Sequence, residues 1–273
     1  MITNKAVNEA IDFILLHINE DLTVDDIAAH CHFSKYYFSR LFRSETGESI
    51  YSFIKRLRVE QGAFRLKVEP ARTITDIGGE FGYSSSNFSS VFRQHFQESP
   101  LDFRKKSYQN TVGHPFFHQM ESGEVSSSEI RIQMLPDYFV LFERRFGSYR
   151  GMSQAWCDFL HRYEEYITDE TVFLERTYDD PSITDTQNCL YDICMSVHED
   201  CDLDNTYLLQ GGKCAVYPFR GSGKHIYAAY QMLLTEWFPS SGYELDERCG
   251  FDIYHRVDFD TMYMELDICL PVR

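Results

Sequence analysis

One sequence pattern occurs twice within the first hundred residues, with the copies 50 positions apart and no gap between them. Residues 23–29 (TVDDIAA) return as residues 73–79 (TITDIGG), and residues 38–43 (FSRLFR) return as residues 88–93 (FSSVFR). Each copy has the apolar spacing and the capping residues of a short helix, a tight turn and a second helix. Two helix-turn-helix units in tandem predict that this part of the chain reads two consecutive stretches of double-stranded DNA.

Capping residues mark where the helices of each unit begin. Thr23 with Asp26 three residues later is an acidic variant of the capping box, and the same pair returns at positions 73 and 76. Ser34 and Ser84 are the expected N-caps of the second helix in each unit. Both helices of each unit are therefore predicted from local signals alone.

The turns and the flanking helices follow from glycine, proline and apolar spacing. Gly82 supplies the turn of the second unit, where a positive φ is needed, and His32 stands at that place in the first. Residues 4–18 read as an amphipathic helix, residues 49–67 as one long helix between the units, and Pro100 opens a last helix.

The net charge of −16 is unevenly distributed. Residues 1–107 hold 14 basic and 14 acidic residues, whereas residues 108–273 hold 12 and 28. Within residues 34–67 there are eight basic residues against three acidic ones. Local charge sets the attraction to phosphate, so the first repeat is suited to DNA and the acidic second half is suited to cations.

This arrangement resembles the DNA-binding domain of the AraC/XylS family of transcription regulators. The resemblance covers about residues 4–106. It is carried by LTVDDIA (22–28), FSKYYFSRLFR (33–43), ETG (45–47), ITDI (74–77), FGYS (81–84), Phe88, Phe92-Arg93, Phe96 and Ser99-Pro100. It implies seven helices, with the long one holding two recognition helices about one DNA turn apart.

The outward positions of the two recognition helices are the candidate DNA contacts. Arg40 is the expected base reader, because a guanidinium matches the O6/N7 edge of guanine, whereas Arg43 suits a phosphate. The place equivalent to Arg40 is Ser90, so the second helix is expected to supply mainly phosphate contacts and shape readout. The full set is Lys35, Tyr36, Ser39, Arg40, Arg43, Ser85, Ser86, Asn87, Ser90 and Arg93.

Composition limits the remaining classes. No apolar run approaches the roughly 20 residues of a transmembrane helix, and no signal peptide is apparent, so a cytoplasmic protein with no membrane partner is expected. Its eight cysteines are then reduced thiols, and no metal site, cofactor or catalytic set is predicted. Three parts are expected: a DNA-binding domain over residues 1–107, a linker over 108–127 that contains His114 and His118, and a second domain over 128–273.

A second duplication, about 74 residues apart, organises that second domain. A strand, a glycine turn and a helix occur over residues 138–166 and again over 214–238, where Pro239 is expected to stop the helix; two further strands follow each copy. The predicted chain is therefore multidomain. An all-α N-terminal domain with two helix-turn-helix units precedes an α+β domain of duplicated β-α-β-β units, with one antiparallel sheet and helices on one face.

The last strand suggests a pocket on the sheet face that the helices leave uncovered. Residues 262, 264, 266 and 268 are apolar and point one way, while Tyr263, Glu265 and Asp267 point the other way. A carboxylate among aromatic rings is costly unless it is paired, and an organic cation would satisfy it. Glu265 is equally compatible with an exposed or ion-paired strand residue.

Residues 128–273 resemble a GyrI-like (Rob-type) effector-binding domain. The residues that carry the resemblance are LP (135–136), GSY (147–149), Trp156, YDDP (178–181), YD (191–192), GGKCAV (211–216), Gly221, AY (229–230), WFPSSGYE (237–244) and LP (270–271). The resemblance implies a pocket for hydrophobic, often cationic small molecules and points to the last-strand carboxylate. The candidate ligand contacts are Glu265, Tyr263, Tyr191, Tyr149, Trp156 and Tyr254, although Trp156 also fits plain core packing.

The leading hypothesis is a ligand-responsive, multidrug-sensing transcription regulator with promoter DNA and a small cationic, aromatic effector as partners. The family resemblance favours an activator, and contact with RNA polymerase is one route to its response. Two alternatives stay open. The second domain could hydrolyse a small molecule, with Glu265 as general base and a tyrosine as donor. It could also be a protein-interaction module without a ligand.

Overall fold

The computed structural model describes residues 1–113 and 129–273. The chain divides into two compact units, Met1–Val112 with Ser182–Thr184 and Gly113–Pro181 with Asp185–Arg273. No helix within the described residues is long and apolar enough to cross a membrane.

The first unit contains the seven helices that the family resemblance implies, all within residues 1–113. They are α1 (Lys5–Leu16), α2 (Val24–His30), α3 (Lys35–Thr46), α4 (Ile50–Val68), α5 (Ile74–Glu80), α6 (Ser85–Phe96) and α7 (Pro100–Gly113). The two predicted helix-turn-helix units are α2–α3 and α5–α6, and α4 is the long helix between them.

Local capping positions these helices as the sequence predicts. Thr23 and Asp26 form a reciprocal capping box at α2, and the Ser84 hydroxyl caps α6 by accepting from the Asn87 amide. Ser34 occupies the N-cap position of α3 without a side-chain hydrogen bond. His32 and Gly82 both have a left-handed backbone, with φ of 60° and 77°. The two turns are therefore alike, although only one of them contains glycine.

The second helix-turn-helix unit packs around Phe88. The ring of this residue on α6 lies against Gly62 of α4 and Gly78 of α5, and a Cβ at either glycine would lie 2.9 Å from a ring atom. Gly79 has nothing within 4 Å. Gly62 and Gly78 are therefore needed for close helix packing, whereas Gly79 stands open.

Helix α7 continues to Gly113, so it includes residues 108–113 of the expected linker. Pro100 begins this helix as predicted, and its fixed φ suits the first turn. Residues 114–127 of the expected linker, with His114 and His118, lie outside the described residues.

Within residues 129–273, the second unit contains eight strands and its own helices. The strands are β1 (Arg131–Leu135), β2 (Tyr138–Phe146), β3 (Phe173–Thr177), β4 (Leu190–Ser196), β5 (Thr206–Leu209), β6 (Gly212–Ser222), β7 (Phe251–Asp258) and β8 (Tyr263–Pro271). The helices are α8 (Met152–Arg162), α9 (Ile226–Gln231) and α10 (Phe238–Ser241), with a π-helical segment (Met232–Trp237) between α9 and α10.

The strands form one antiparallel sheet in the order β1-β6-β8-β7-β3-β4-β2-β5. The order is symmetric about its centre. Strands β1, β6, β8 and β7 on one side correspond to their equivalents in the repeat, β5, β2, β4 and β3, on the other side. The duplicated β-α-β-β units, β2-α8-β3-β4 and β6-α9-β7-β8, therefore meet where β7 pairs with β3. Each copy also has a leading strand that the sequence analysis missed. β1 pairs with β6, and β5 pairs with β2, so each copy completes the sheet of the other.

Both helices cover the same face of this sheet, as expected. Ile193 packs in the core beneath α8, and Ile268 packs in the core beneath α9. These two residues belong to one row of directly opposed residues, which runs from Ile193 through Glu175 and Asp252 to Ile268. Opposed residues point to the same side of a sheet, so α8 and α9 share one face.

The other face is not open, because the sheet curls. β1 and β2 are six positions apart in the sheet, yet only Pro136 and Asp137 separate them in sequence. Six flat spacings would span about 29 Å, whereas three Cα–Cα steps reach about 11 Å. The edges therefore approach each other, and the Gly211 amide donates to Asp137 Oδ1 at 2.8 Å. A core that includes Val140, Leu174, Val216, Phe251 and Cys269 fills the curled side.

Pro239 does not stop the second helix. The chain stays helical through α9, the π-helical segment and α10, and it ends at Gly242 with φ of 77°. Pro239 lies in the first turn of α10, directly after the π-helical segment, so its missing N–H leaves one carbonyl of the preceding turn without an intrahelical partner but does not end the helix.

Candidate functional site

Helix α3 presents the predicted DNA contacts of the first unit to solvent. Lys35, Tyr36, Arg40 and Arg43 are exposed, and Ser39 is half-buried. Lys35 forms an ion pair with Asp25 at 2.5 Å, which leaves its charge partly neutralised. Arg40 and Arg43 have no carboxylate partner among the described residues, so both guanidinium groups are free for an external partner.

Helix α6 presents a different surface. Ser85, Ser86, Asn87, Ser90 and Arg93 are all exposed. The hydroxyls take part in local hydrogen bonds, for example from Thr75 to Ser85 at 3.3 Å. Arg93 is the cation in this set, so α6 carries fewer groups suited to base readout than α3 does.

Glu265 lies among basic groups on the face away from the helices. Its opposite residue on β6 is Arg220, and the Arg256 guanidinium on β7 lies 3.9 Å away. It lines a groove of about 330 Å³ together with Arg131, Arg220, His255 and Asp267. These charges have both signs, so the groove is not a negative pocket. Tyr263 begins β8 and is exposed at 36%.

Glu175 and Asp252 are buried carboxylates that differ from Glu143 and Asp192, the buried carboxylates of the domain that form ion pairs with arginines. Glu175 and Asp252 lie directly opposite each other on β3 and β7, at the centre of the sheet, and are 3% and 2% exposed. Each accepts one tyrosine hydroxyl: Tyr254 reaches Glu175 at 3.0 Å, and Tyr230 reaches Asp252 at 2.6 Å. Among the described residues no Lys, Arg or His forms an ion pair with either carboxylate.

Aromatic rings surround this carboxylate pair, and four of them are predicted ligand contacts. The rings of Tyr149 and Tyr191 stack at 4.7 Å, and Trp156 meets Tyr254 edge-on at 5.4 Å. The indole of Trp156 lies beside Glu175, although no hydrogen bond of normal geometry joins its N–H to the carboxylate. The structure thus brings Tyr149, Trp156, Tyr191 and Tyr254 together and leaves Glu265 and Tyr263 elsewhere.

Burial changes the ionisation of both acids. It raises the pKa of Asp252 to about 7, against a lowering hydrogen bond from Tyr230. Burial and the charge of Asp252 raise the pKa of Glu175 to about 8, against a lowering hydrogen bond from Tyr254. Two unpaired carboxylates in an apolar, aromatic site favour protons or an organic cation as their counter-charge.

Sequence reasoning missed Glu175 and Asp252, although a signal for them exists. Trp156 and Tyr230 are equivalent in the internal repeat, and each lies beside one of the two carboxylates. Glu175 and Asp252 are also the acids within the apolar strands VFLER (172–176) and GFDIY (250–254). Comparing the two copies strand by strand would have pointed to them.

Comparison with known proteins agrees with both halves of this description. A model of the GyrI-like small molecule binding domain matches residues 128–273, and a helix-turn-helix domain matches residues 14–106. The regulatory protein SoxS of Escherichia coli K12 is 34% identical over 103 residues, which are 37% of this chain and 95% of that protein. The chain belongs to the AraC family of transcription regulators, with a GyrI-like domain at its C-terminal side.

Other relatives extend the similarity across both domains. The transcriptional regulator Rob of Salmonella typhimurium is 25% identical over 221 residues, covering 76% of this chain and 75% of Rob. The solved structure of the AdpA DNA-binding domain in complex with a target DNA covers 39% of this chain and 97% of that chain, at 25% identity and a TM-score of 0.37. The two family models give this AraC-family regulator a helix-turn-helix domain and a GyrI-like small molecule binding domain.

Proposed function

We propose that this AraC-family regulator binds promoter DNA through α3 and α6 and senses a lipophilic organic cation at the Glu175–Asp252 pair. The observation that carries the effector proposal is the pair itself: two opposed carboxylates, both buried, with aromatic neighbours and no cationic partner among the described residues. A cation with apolar substituents supplies the missing charge and packs against the rings.

The DNA part of the proposal rests on α3. Arg40 and Arg43 are exposed, and neither is engaged by a carboxylate of the described chain. Helix α4, with 19 residues, is about 28 Å long, a little less than the 34–36 Å between successive major grooves on one DNA face. We propose that Arg40 reads a base edge, that Arg43 and Arg93 hold phosphates, and that α6 contributes mainly positioning.

Titration of the full chain with tetraphenylphosphonium tests the effector site, because the charge of this cation does not vary with pH. Its binding is followed by tryptophan fluorescence. We expect Glu175→Gln to weaken binding about tenfold or more, as removal of a buried charge partner does. Triphenylphosphine oxide, a neutral analogue, should bind more weakly than the cation.

Glu265→Gln is the matched control for that titration. Our proposal expects unchanged cation affinity in this variant, whereas the prediction from the last strand expects a loss. If Glu265→Gln weakens the cation and Glu175→Gln does not, the effector site lies in the surface groove and our assignment is wrong.

A second candidate function is hydrolysis of a bound small molecule, which the Glu175–Tyr254 hydrogen bond favours. A carboxyl group with a pKa near 8 next to a tyrosine hydroxyl has the groups of a general base and a proton donor. Mass spectrometry of a hydrolysable aromatic ester after incubation separates the two functions. Turnover that Glu175→Gln abolishes would support hydrolysis, and unchanged ester would support sensing alone.

A further inference from the structure

On the curled side of the sheet, away from the helices, one carboxylate lies between two arginines. Asp192 on β4 is opposite Arg144 on β2 and also opposite Arg176 on β3. Arg144 takes both carboxylate oxygens, with Nε–Oδ1 and Nη2–Oδ2 distances of 2.8 and 2.9 Å. Both side chains of this pair are fully buried. The negative charge of Asp192 is therefore already matched by Arg144.

Arg176 is left without a carboxylate. Its guanidinium lies over the rings of Tyr178 and Tyr207, at 4.7 and 5.3 Å from their centroids, and donates to Cys249 Sγ at 3.7 Å. Within residues 1–113 and 129–273, no Asp or Glu lies at ion-pair distance from it. Arg176 is partly buried.

Among the described residues, the row Arg144, Asp192 and Arg176 holds one more positive charge than negative charges. Two guanidiniums and one carboxylate share a row whose surroundings include Phe142, Leu174 and Phe251. The two tyrosine rings offset part of the cost of that charge. An unpaired charge in an apolar setting remains unfavourable, and one monoanion would complete the balance.

We propose that the Arg176 cluster, formed by Arg176, Tyr178, Tyr207 and Cys249, is a second ligand site that binds a small aromatic monocarboxylate. A planar carboxylate matches the guanidinium fork with two parallel hydrogen bonds. The adjacent rings provide an apolar wall for the rest of the ligand. A dianion such as phosphate would overcompensate the single charge.

This site is separate from the cation site. Glu175 and Arg176 are consecutive residues of β3, so their side chains point to opposite faces of the sheet. The domain therefore offers negative charge on the helix-covered face and positive charge on the curled side. Either site can exist without the other.

Isothermal titration of the full chain with sodium benzoate, at constant ionic strength, tests the proposal. Benzamide is the control ligand, because it has the same shape without the charge. We expect one benzoate per chain, with an affinity at least tenfold above that of benzamide. Arg176→Gln should lower benzoate affinity at least tenfold and leave tetraphenylphosphonium binding unchanged. Arg256→Gln, which removes an exposed arginine, should have no effect on benzoate.

Arg176→Lys keeps the charge but not the planar fork, so benzoate affinity should fall between those of the wild type and Arg176→Gln. Three results would each overturn the proposal: no benzoate binding at millimolar concentration, equal affinities for benzoate and benzamide, or undiminished benzoate affinity in Arg176→Gln. If Arg176→Gln does not fold, the benzoate–benzamide comparison together with Arg176→Lys decides the question.

Discussion

Burial raises the pKa of Asp252 to about 7, and burial together with the charge of Asp252 raises the pKa of Glu175 to about 8. In an unfolded chain both groups have a pKa of about 4. Between the unfolded pKa of about 4 and the folded pKa values of about 7 and 8, the folded protein keeps protons on these carboxyl groups that the unfolded chain releases. The free energy of unfolding should therefore fall as pH rises from about 4 to about 8.

The same ionisation should control effector binding, since a cation needs an ionised carboxylate. We expect the affinity for tetraphenylphosphonium to increase about tenfold between pH 6 and pH 8. Fluorescence titration across this range measures the change, and Asp252→Asn should flatten the lower part of the profile. An affinity that is constant from pH 6 to pH 8 would contradict a role for these carboxylates.

Arg40 provides a second prediction for a single residue. Arg40→Ala should weaken binding to the cognate operator by about 1–3 kcal/mol and relax the preference at one base pair, because a bidentate guanine contact is lost. Arg43→Ala is the comparison, and we expect it to weaken binding to all sequences alike. Competition binding against operator variants measures both effects. If Arg40→Ala weakens binding to all operator variants equally, Arg40 contacts a phosphate and does not read a base.

At the scale of the element, α5 contains two adjacent glycines with opposite requirements. Gly78 is buried against Phe88, whereas Gly79 is exposed with nothing within 4 Å of an added Cβ. Gly78→Ala should lower the free energy of unfolding of the first unit by about 1–3 kcal/mol through overpacking. Gly79→Ala should raise it by about 0.5–1 kcal/mol, because alanine favours the helix.

Urea unfolding of the two variants, followed by circular dichroism, checks this pair. Both substitutions replace glycine by alanine at neighbouring positions of one helix, so they change helix propensity in the same way. A difference in the sign of their effects on the free energy of unfolding therefore comes from packing. Equal effects of both substitutions would show that Phe88 moves to admit a methyl group at position 78.

For the whole molecule, the exchange of leading strands makes the two copies of the C-terminal repeat interdependent. β1 pairs with β6 and β5 pairs with β2, so a fragment of residues 129–205 would leave β1 without a partner and β2 with only one. We expect this fragment to show no cooperative thermal transition by circular dichroism, whereas residues 129–273 do. A cooperative transition in the half-length fragment would mean that the copies fold separately.

The described elements differ in how far the sequence could predict them. The helices of residues 1–113 were predicted because caps such as Thr23 with Asp26 and apolar spacing act over a few residues. Strand β2 was likewise predicted, since it begins the span of residues 138–166 in which a strand, a glycine turn and a helix were expected. The leading strands β1 and β5 were missed, since they are short and their partners lie in the other copy of the repeat. Trp156 and Tyr254, two of the predicted ligand contacts, lie next to each other beside Glu175 in the candidate site.

The sequence by itself determined the tandem helix-turn-helix units and the duplicated second domain, and it pointed to most of the aromatic residues of the candidate site. These depend on local periodicity, capping and internal similarity, which can be read along the chain. Only the tertiary structure decided that Glu175 and Asp252 lie side by side and that Arg176 lacks an acidic partner. The physical reason is that strand pairing joins residues distant in sequence, and the curl of the sheet sets which charges are buried together.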